Sequence, residues 1–430
     1  MPNGVHVHQL ANGARIVVEP MPGRGVVAAF LCFDRGSRHE VAAQSGLTHF
    51  CEHLLFKGTG RHDWKTLSKR LNVLGGHANA STSLDHIMLE NRFVAADLRE
   101  GLSLMVEMAV ESDFPKAEVE RERTVILEEI AEYEDSPGDV AAESFTEALF
   151  GDHPLGRPVI GTRETVGGFA RDEALGYWHR VATGPNTVLS LAGGLSFEEA
   201  VAIAEPLLAA LPAGLAGAAA EPPPEPLAGL AHHQWDDLEQ VHFCFGVRAV
   251  RRVDPARFPV YLLDAILGSG MGSRLFNEVR EKRGLVYSIG SSVYLGADTG
   301  TFCVSGSTSP ANLGEVLEVC RAEIDHLMAD GPTEEELATT KALLARGVVL
   351  YTERAAERAG LNLSRELYGE PHVTVEEAVA RIERPSAEDV RAAAQALFGG
   401  RRPALSLAGE IDADTAARHV ERLGSAAALR

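Results

Sequence analysis

Through residue 35 the apolar side chains fall in short runs separated by turn formers. Asn12-Gly13 is a tight-turn pair placed ahead of Ile16-Val17-Val18, and Val26 to Phe33 is continuously apolar, so residues 6–35 read as two strands. After Gly36-Ser37 the period changes. Leu47, Phe50, Leu54 and Leu55 recur at i, i+3, i+7 and i+8, the spacing of a helix with one buried face. A second helix is expected from about Trp64 to Leu74, ended by Gly75-Gly76. Strand-like runs follow over Ala78–Ser83 and His86–Phe93, then a helix from about Ala96 to Glu111 and an acidic helix from Lys116 to about Glu134. Asn186 to Leu191 reads as a strand, and the helix after it ends near Leu208.

The composition then shifts. Leu211 to Gly217 and Glu221 to Pro226 form an Ala/Gly/Pro-rich stretch, the best domain linker in the chain. Beyond it the first pattern returns. Val241 to Val247 is a strand, about 257–268 a helix, Arg274 to Arg283 another helix, Tyr287–Tyr294 and Gly300–Gly306 two strands, and about 311–329 and 333–353 two long helices. Asp113-Phe114-Pro115 and Asp330-Gly331-Pro332 echo each other at an offset of 217. The expected fold is α+β: two repeated half-modules, each a mixed, mostly antiparallel sheet packed by helices. The expected domains are 1–212, a linker over 213–234, and 235–430.

Composition narrows the function class. A chain of 430 residues with 45% apolar and 23% charged residues is an ordinary globular protein of two or more domains. A net charge of −21 argues against nucleic-acid binding. The five cysteines are scattered and form no Cys-x-x-Cys pair, so neither a disulfide framework nor a four-cysteine zinc site is expected. With no signal-like start and no apolar run near 18 residues, a cytoplasmic protein without a membrane span is expected.

The candidate chemistry lies on the first helix, in Thr48-His49-Phe50-Cys51-Glu52-His53. Residues four apart lie about 40° apart around a helix axis, so His49 and His53 stand one above the other. Two stacked imidazoles suit zinc, and Glu52 beside them is placed to take a proton from a water at the metal. His-x-x-Glu-His is the reversed counterpart of the common His-Glu-x-x-His zinc motif. The bland alternative is a core helix with inert histidines. Cys51 points away from the pair, which removes a closed four-ligand structural site. On the acidic helix, Glu122 and Glu129 are seven apart and share a stripe with Ile126, so these two turn inward and can offer the third, acidic ligand. At the 217-residue offset His49, His53 and Glu129 become Ile266, Gly270 and Arg346, so the second half keeps the architecture and lacks the ligands.

With these motifs together, the chain resembles the pitrilysin/insulinase metallopeptidases, in particular their short, mitochondrial-processing-peptidase-like branch. The likeness runs through Leu10 to Gly13, Gly46 to Thr59, Gly75 to Thr82, Glu122 to Ile130 and Ser273 to Ser288. The resemblance implies a zinc endopeptidase for unfolded peptides or leader segments. His49, His53 and Glu129 would be the zinc ligands, Glu52 the general base, and Glu122 a carboxylate orienting a ligand. Asn79 and Ala80 would lie on an edge strand that pairs with the substrate backbone. Arg280 and Tyr287, otherwise a basic helix end and a strand aromatic, would match a pair that stabilises the reacting carbonyl from an opposing half. A short chain of this kind implies a homodimer, or a heterodimer with a related chain. The competing reading is a non-catalytic structural partner of the same fold.

Overall fold

The Asn12-Gly13 turn closes a hairpin that the apolar pattern only half displays. In the computed structural model, which describes residues 4–214, 220–225 and 227–424, β1 (His6–Gln9) pairs antiparallel with β2 (Arg15–Pro20). Gly13 takes φ +93°, a left-handed value that a side chain would strain. Residues 6–35 therefore hold three strands rather than two, the third being β3 (Val26–Phe33). The first was hidden because His6-Val7-His8-Gln9 has no apolar run.

The chain forms two compact units. The first takes residues up to Ile130, Pro158–Glu221 and Val349–Val375. Its sheet has the order β1-β2-β6-β3-β5-β4, where β4 is Asn79–Thr82, β5 Ile87–Val94 and β6 Thr187–Gly193. Only β2 and β6 run parallel. On the inner face Val27, Ala29, Leu31 and Phe33 pack with Leu47, Phe50 and Leu54 of the Leu47–Leu54 helix and with Leu102 and Met105 of the Leu98–Val110 helix. On the outer face Val17, Ala28, Phe30, Val188 and Ala192 pack with Ala359 and Leu363 of the Ala355–Leu367 helix. Polar contacts fasten that helix: Ser190 Oγ donates to the Ala359 carbonyl (2.7 Å), and Asn362 and Arg358 both hold Glu19 (2.7 and 2.8 Å).

The second unit takes Ala131–Arg157, Pro222–Val348 and the residues from Glu376 on. Its sheet has the order β7-β11-β8-β10-β9, with β7 Leu230–Gln234, β8 Val241–Ala249, β9 Ile289–Leu295, β10 Gly300–Thr308 and β11 Ala404–Gly409. The β7–β11 pair is parallel and the rest antiparallel, which repeats the β2-β6-β3-β5-β4 arrangement. Phe243, Phe245, Phe302 and Val304 form its core with Val260, Ile266 and Leu317. Helix Pro137–Phe150, capped by Ser136 with proline at its first turn, packs on β8 and β11.

Each unit thus takes a helix from the other unit's stretch of sequence, so the compact units do not coincide with contiguous domains 1–212 and 235–430. The boundary at Glu221/Pro222 does fall inside the expected linker. Of that linker, residues 215–219 and 226 lie outside the described residues, as do 1–3 and 425–430 at the chain ends. Its last part, Leu230–Gln234, is not linker but strand β7. Two histidines and a glutamine there disguise an edge strand as loop. Among the described residues no helix is long and apolar enough to cross a membrane.

Candidate metal centre

The Leu47–Leu54 helix buries Leu47, Phe50, Cys51 and Leu54 and leaves His49, Glu52 and His53 half-buried on its other side. Its start is held from a distance. Glu40 accepts the Gly46 N–H (2.8 Å) and the Thr48 N–H (2.6 Å), satisfying two donors that the helix cannot. Gly46 sits at φ +90°, and a Cβ there would lie 2.5 Å from the Ile160 carbonyl oxygen. Glycine is therefore required where the chain turns into the helix.

The acidic helix runs Lys116–Glu134, as its sequence predicts. Val119, Glu122, Ile126 and Ile130 are its buried residues, so Glu122 occupies a position on an otherwise apolar stripe. Glu129 stands half-exposed at the margin of that stripe, facing the histidines.

His49, His53 and Glu129 come together: one donor atom from each lies within 4.8 Å of the other two. The Nε2 atoms of His49 and His53 are 3.9 and 3.6 Å from Glu129 Oε2. Both separations are too long for hydrogen bonds, so the three donors do not satisfy one another. Zinc ligands at about 2.0–2.2 Å in a tetrahedron stand about 3.4 Å apart. Two imidazole nitrogens and a carboxylate oxygen gathered within 4.8 Å are a donor set that fits zinc once they draw closer together.

Glu122 fixes the second histidine. Its Oε2 is 3.1 Å from His53 Nδ1, and its Oε1 is 2.8 Å from Lys57 Nζ. This bond assigns the proton to Nδ1 and turns the Nε2 lone pair toward Glu129. Burial pushes the Glu122 carboxyl up, but the His53 and Lys57 hydrogen bonds outweigh it and hold the group below its ordinary range. His49 differs. Its Nδ1 is buried with no hydrogen-bond partner, and burial together with the neighbouring His53 lowers its pKa to about 4. A neutral imidazole is the ligand form.

Glu52 has another setting. Thr82, on edge strand β4, donates its hydroxyl to Glu52 Oε2. Burial raises the Glu52 pKa, with the Thr82 bond and His53 opposing and Glu129 adding to the rise. Asn79 and Ala80 lie on β4, which pairs with β5 and forms the free edge of the sheet. Thr82 and Lys57 are the contributors that sequence reasoning passed over. Both sit inside motif stretches, at Gly75–Thr82 and Gly46–Thr59, and nothing in their spacing revealed their partners.

Arg280 and Tyr287 belong to the second unit, and the structure brings them to each other. The Arg280 guanidinium lies 5.4 Å from the centre of the Tyr287 ring and 4.7 Å from that of Phe276. The expected Arg274–Arg283 α-helix is instead a wide π turn over Phe276–Glu281, in which Lys282 N–H reaches the Asn277 carbonyl (2.9 Å). Such turns are rare and are frequent at functional sites. Tyr287 precedes β9 rather than lying within it, and is 79% exposed.

Residues 15–163 match the family model described as insulinase (peptidase family M16), and 168–344 the one described as peptidase M16 inactive domain. A protein of Streptomyces coelicolor named an uncharacterized zinc protease is 34% identical over 420 residues, 95% of this chain and 90% of its own length. The chain belongs to the M16 peptidase family. A Bacillus subtilis M16 relative, also named an uncharacterized zinc protease, is 30% identical over 387 residues, 90% of this chain and 94% of its own. Among solved structures, a peptidase M16 inactive domain from Pseudomonas fluorescens superposes with a TM-score of 0.89 at 26% identity, covering 95% of this chain and 99% of its own. A protease from Helicobacter pylori gives 0.86 at 20% identity, over 94% and 98%, and that likeness shows the M16 fold alone.

Proposed function

We propose that the chain is a zinc-dependent endopeptidase that hydrolyses unfolded peptides or leader segments, acting as a cytoplasmic homodimer. What supports this most is the convergence of the His49, His53 and Glu129 donors beside a Glu52 carboxyl tied to a free sheet edge. His49, His53 and Glu129 would hold the zinc, which would supply a water acidified from pKa 15.7 towards about 7. Glu52 would take the proton of the attacking water and deliver it to the leaving nitrogen. A carboxyl raised by burial suits both halves of that exchange. The free N–H and C=O groups of β4, Asn79 and Ala80 included, orient an extended backbone by strand addition. Arg280 and Tyr287 carry donors for a carbonyl oxygen gaining charge, supplied to the zinc site of the other subunit.

The test is zinc content measured together with hydrolysis of a peptide library by the wild-type chain and Glu52→Gln. One zinc per chain, hydrolysis by wild type and none by Glu52→Gln are expected. A metal-free chain that hydrolyses peptides, or a fully active Glu52→Gln, would overturn the reading. A zinc-loaded wild type that binds peptides and cleaves none would instead mark a non-catalytic partner subunit.

A further inference from the structure

Strand β4 has four residues, none of them buried, and it pairs with β5 alone. Its own ladder is therefore a weak hold, and the turn that follows Thr82 does much of the fixing. Ser83 N–H donates to the His86 carbonyl (2.8 Å) and closes that turn. From outside the hairpin, Ser37 N–H donates to the Ser83 carbonyl (3.1 Å) and Arg38 N–H to the Leu84 carbonyl (3.0 Å). The approach is backbone on backbone, since a Cβ at Gly36 would lie 2.3 Å from the Ser83 oxygen.

The same segment also grips the helix that carries His49 and His53. Two residues beyond Arg38, Glu40 accepts the Gly46 and Thr48 N–H groups at the start of that helix. Gly36–Glu40 thus holds both sides of the Thr82–Glu52 hydrogen bond, the hairpin on one side and the helix on the other. Asp85, in the turn itself, adds a further tie. Its Oδ1 accepts from Arg38 Nη1 (3.1 Å), in a pair whose side chains are 8% and 2% exposed. Its Oδ2 accepts from the Tyr368 hydroxyl (2.8 Å), 283 residues further along the chain.

Tyr368 is the residue that ends the Ala355–Leu367 helix. That helix is fastened to its sheet without the Tyr368 bond. Ala359 and Leu363 pack on the outer face, Ser190 of β6 holds the Ala359 carbonyl, and Glu19 of β2 holds Arg358 and Asn362. The Tyr368 hydroxyl reaches away from those contacts to the hairpin of the free edge. A buried carboxylate is costly to leave short of a donor, so Asp85 stays where Arg38 and Tyr368 both meet it. We infer that Tyr368 is a positioning residue for the site: through Asp85 it fixes the β4–β5 hairpin, and with it the Thr82 hydroxyl that holds Glu52. The inference rests on the endopeptidase reading for its effect on rate.

The experiment compares Tyr368→Phe with Ser190→Ala, which unfastens the same helix at β6 instead. Each zinc-loaded full chain is read by steady-state kinetics on an unfolded peptide and by hydrogen–deuterium exchange over Asn79 to His86. Tyr368→Phe should lower kcat about fivefold, keep its zinc, and speed exchange in that stretch about tenfold. Ser190→Ala should change neither kcat nor that exchange by more than about twofold. In a Thr82→Val background Tyr368→Phe should lower kcat by less than about twofold, because the link it acts through is gone. Wild-type exchange over Asn79 to His86 in Tyr368→Phe overturns the inference. So do equal effects from the two helix variants, which would make Tyr368 a fastening of the helix and nothing more, and so does a full fivefold loss in both backgrounds. A wild type that cuts no peptide overturns the endopeptidase reading, and the exchange comparison then decides the inference alone.

Discussion

Thr82 and Glu52 are joined by a hydrogen bond from the edge strand to the helix that carries His49 and His53. The edge strand and the carboxyl that the proposed mechanism assigns to substrate backbone and scissile bond are thus fixed to each other.

Thr82→Val removes that tie and leaves the ligands in place. It should lower kcat about tenfold, the equivalent of one hydrogen bond to a charged group, while zinc content is unchanged. Thr82→Ser should restore the rate. Steady-state kinetics beside elemental analysis would read both, and a Thr82→Val enzyme with wild-type kcat would count against the tie.

Lys57→Met takes away one of the two partners of buried Glu122. His53 then loses its fixed orientation, and zinc affinity should fall about 10- to 100-fold. Competition with a chromogenic chelator measures it. An unaltered zinc Kd would mean that Lys57 serves only the surface.

Zinc stoichiometry separates ligand from base. His53→Ala should bind none at micromolar metal, whereas Glu52→Gln should hold one equivalent, because Glu52 is bound to Thr82 and stands outside the donor cluster. Equal zinc loss in the two variants would make Glu52 a ligand.

Glu107 sets an acid limit on stability near the same helix. Thr59 Oγ1 and His62 Nδ1 both lie 2.6 Å from its Oε1, and Arg70 Nη1 lies 2.9 Å from His62 Nε2. Burial raises the Glu107 pKa, but the Thr59 and His62 bonds overcome it and the net shift is downward from 4.5. A depressed carboxyl contributes stability that is present above the unfolded pKa of 4.5 and is lost as pH falls through the lower folded value. Glu107→Gln should therefore lower Tm at pH 7 and flatten the fall of Tm below pH 4.5. Parallel curves for the two proteins across that range would refute the assignment.

If Arg280 and Tyr287 serve the zinc site of a second subunit, two dead chains should complement. Glu52→Gln mixed with Tyr287→Phe would form heterodimers with one intact site and regain up to about a quarter of wild-type activity by random exchange. Activity that stays at the single-mutant floor, with exchange shown by mass spectrometry, would place the pair in cis or outside the reaction.

Much of the site was legible because its signals are local. His49, Glu52 and His53 declare themselves through one helical period, and Glu122 and Glu129 through a shared stripe on a helix whose limits the sequence predicts. Pairings that depend on distant segments were not legible. Thr82 meets Glu52 and Lys57 meets Glu122 only after folding, and the His6–Gln9 and Leu230–Gln234 strands lack apolar runs because each lies at the edge of a sheet. The helices Pro137–Phe150 and Ala355–Leu367 are amphipathic in a general way, and nothing in either one names the sheet it will cover.

That last exchange sets the order in which the chain can be finished as it leaves the ribosome. The first sheet has all its strands once Gly193 emerges, but the helix that covers its outer face ends at Leu367, 174 residues later. At about 5–20 residues per second the delay is roughly 9–35 s. Through that interval Val17, Ala28, Phe30 and Val188 remain a bare apolar wall. The unit that holds His49, His53 and Glu129 thus completes its sheet early and waits for the cover of its outer face, and over that interval the nascent chain needs a chaperone.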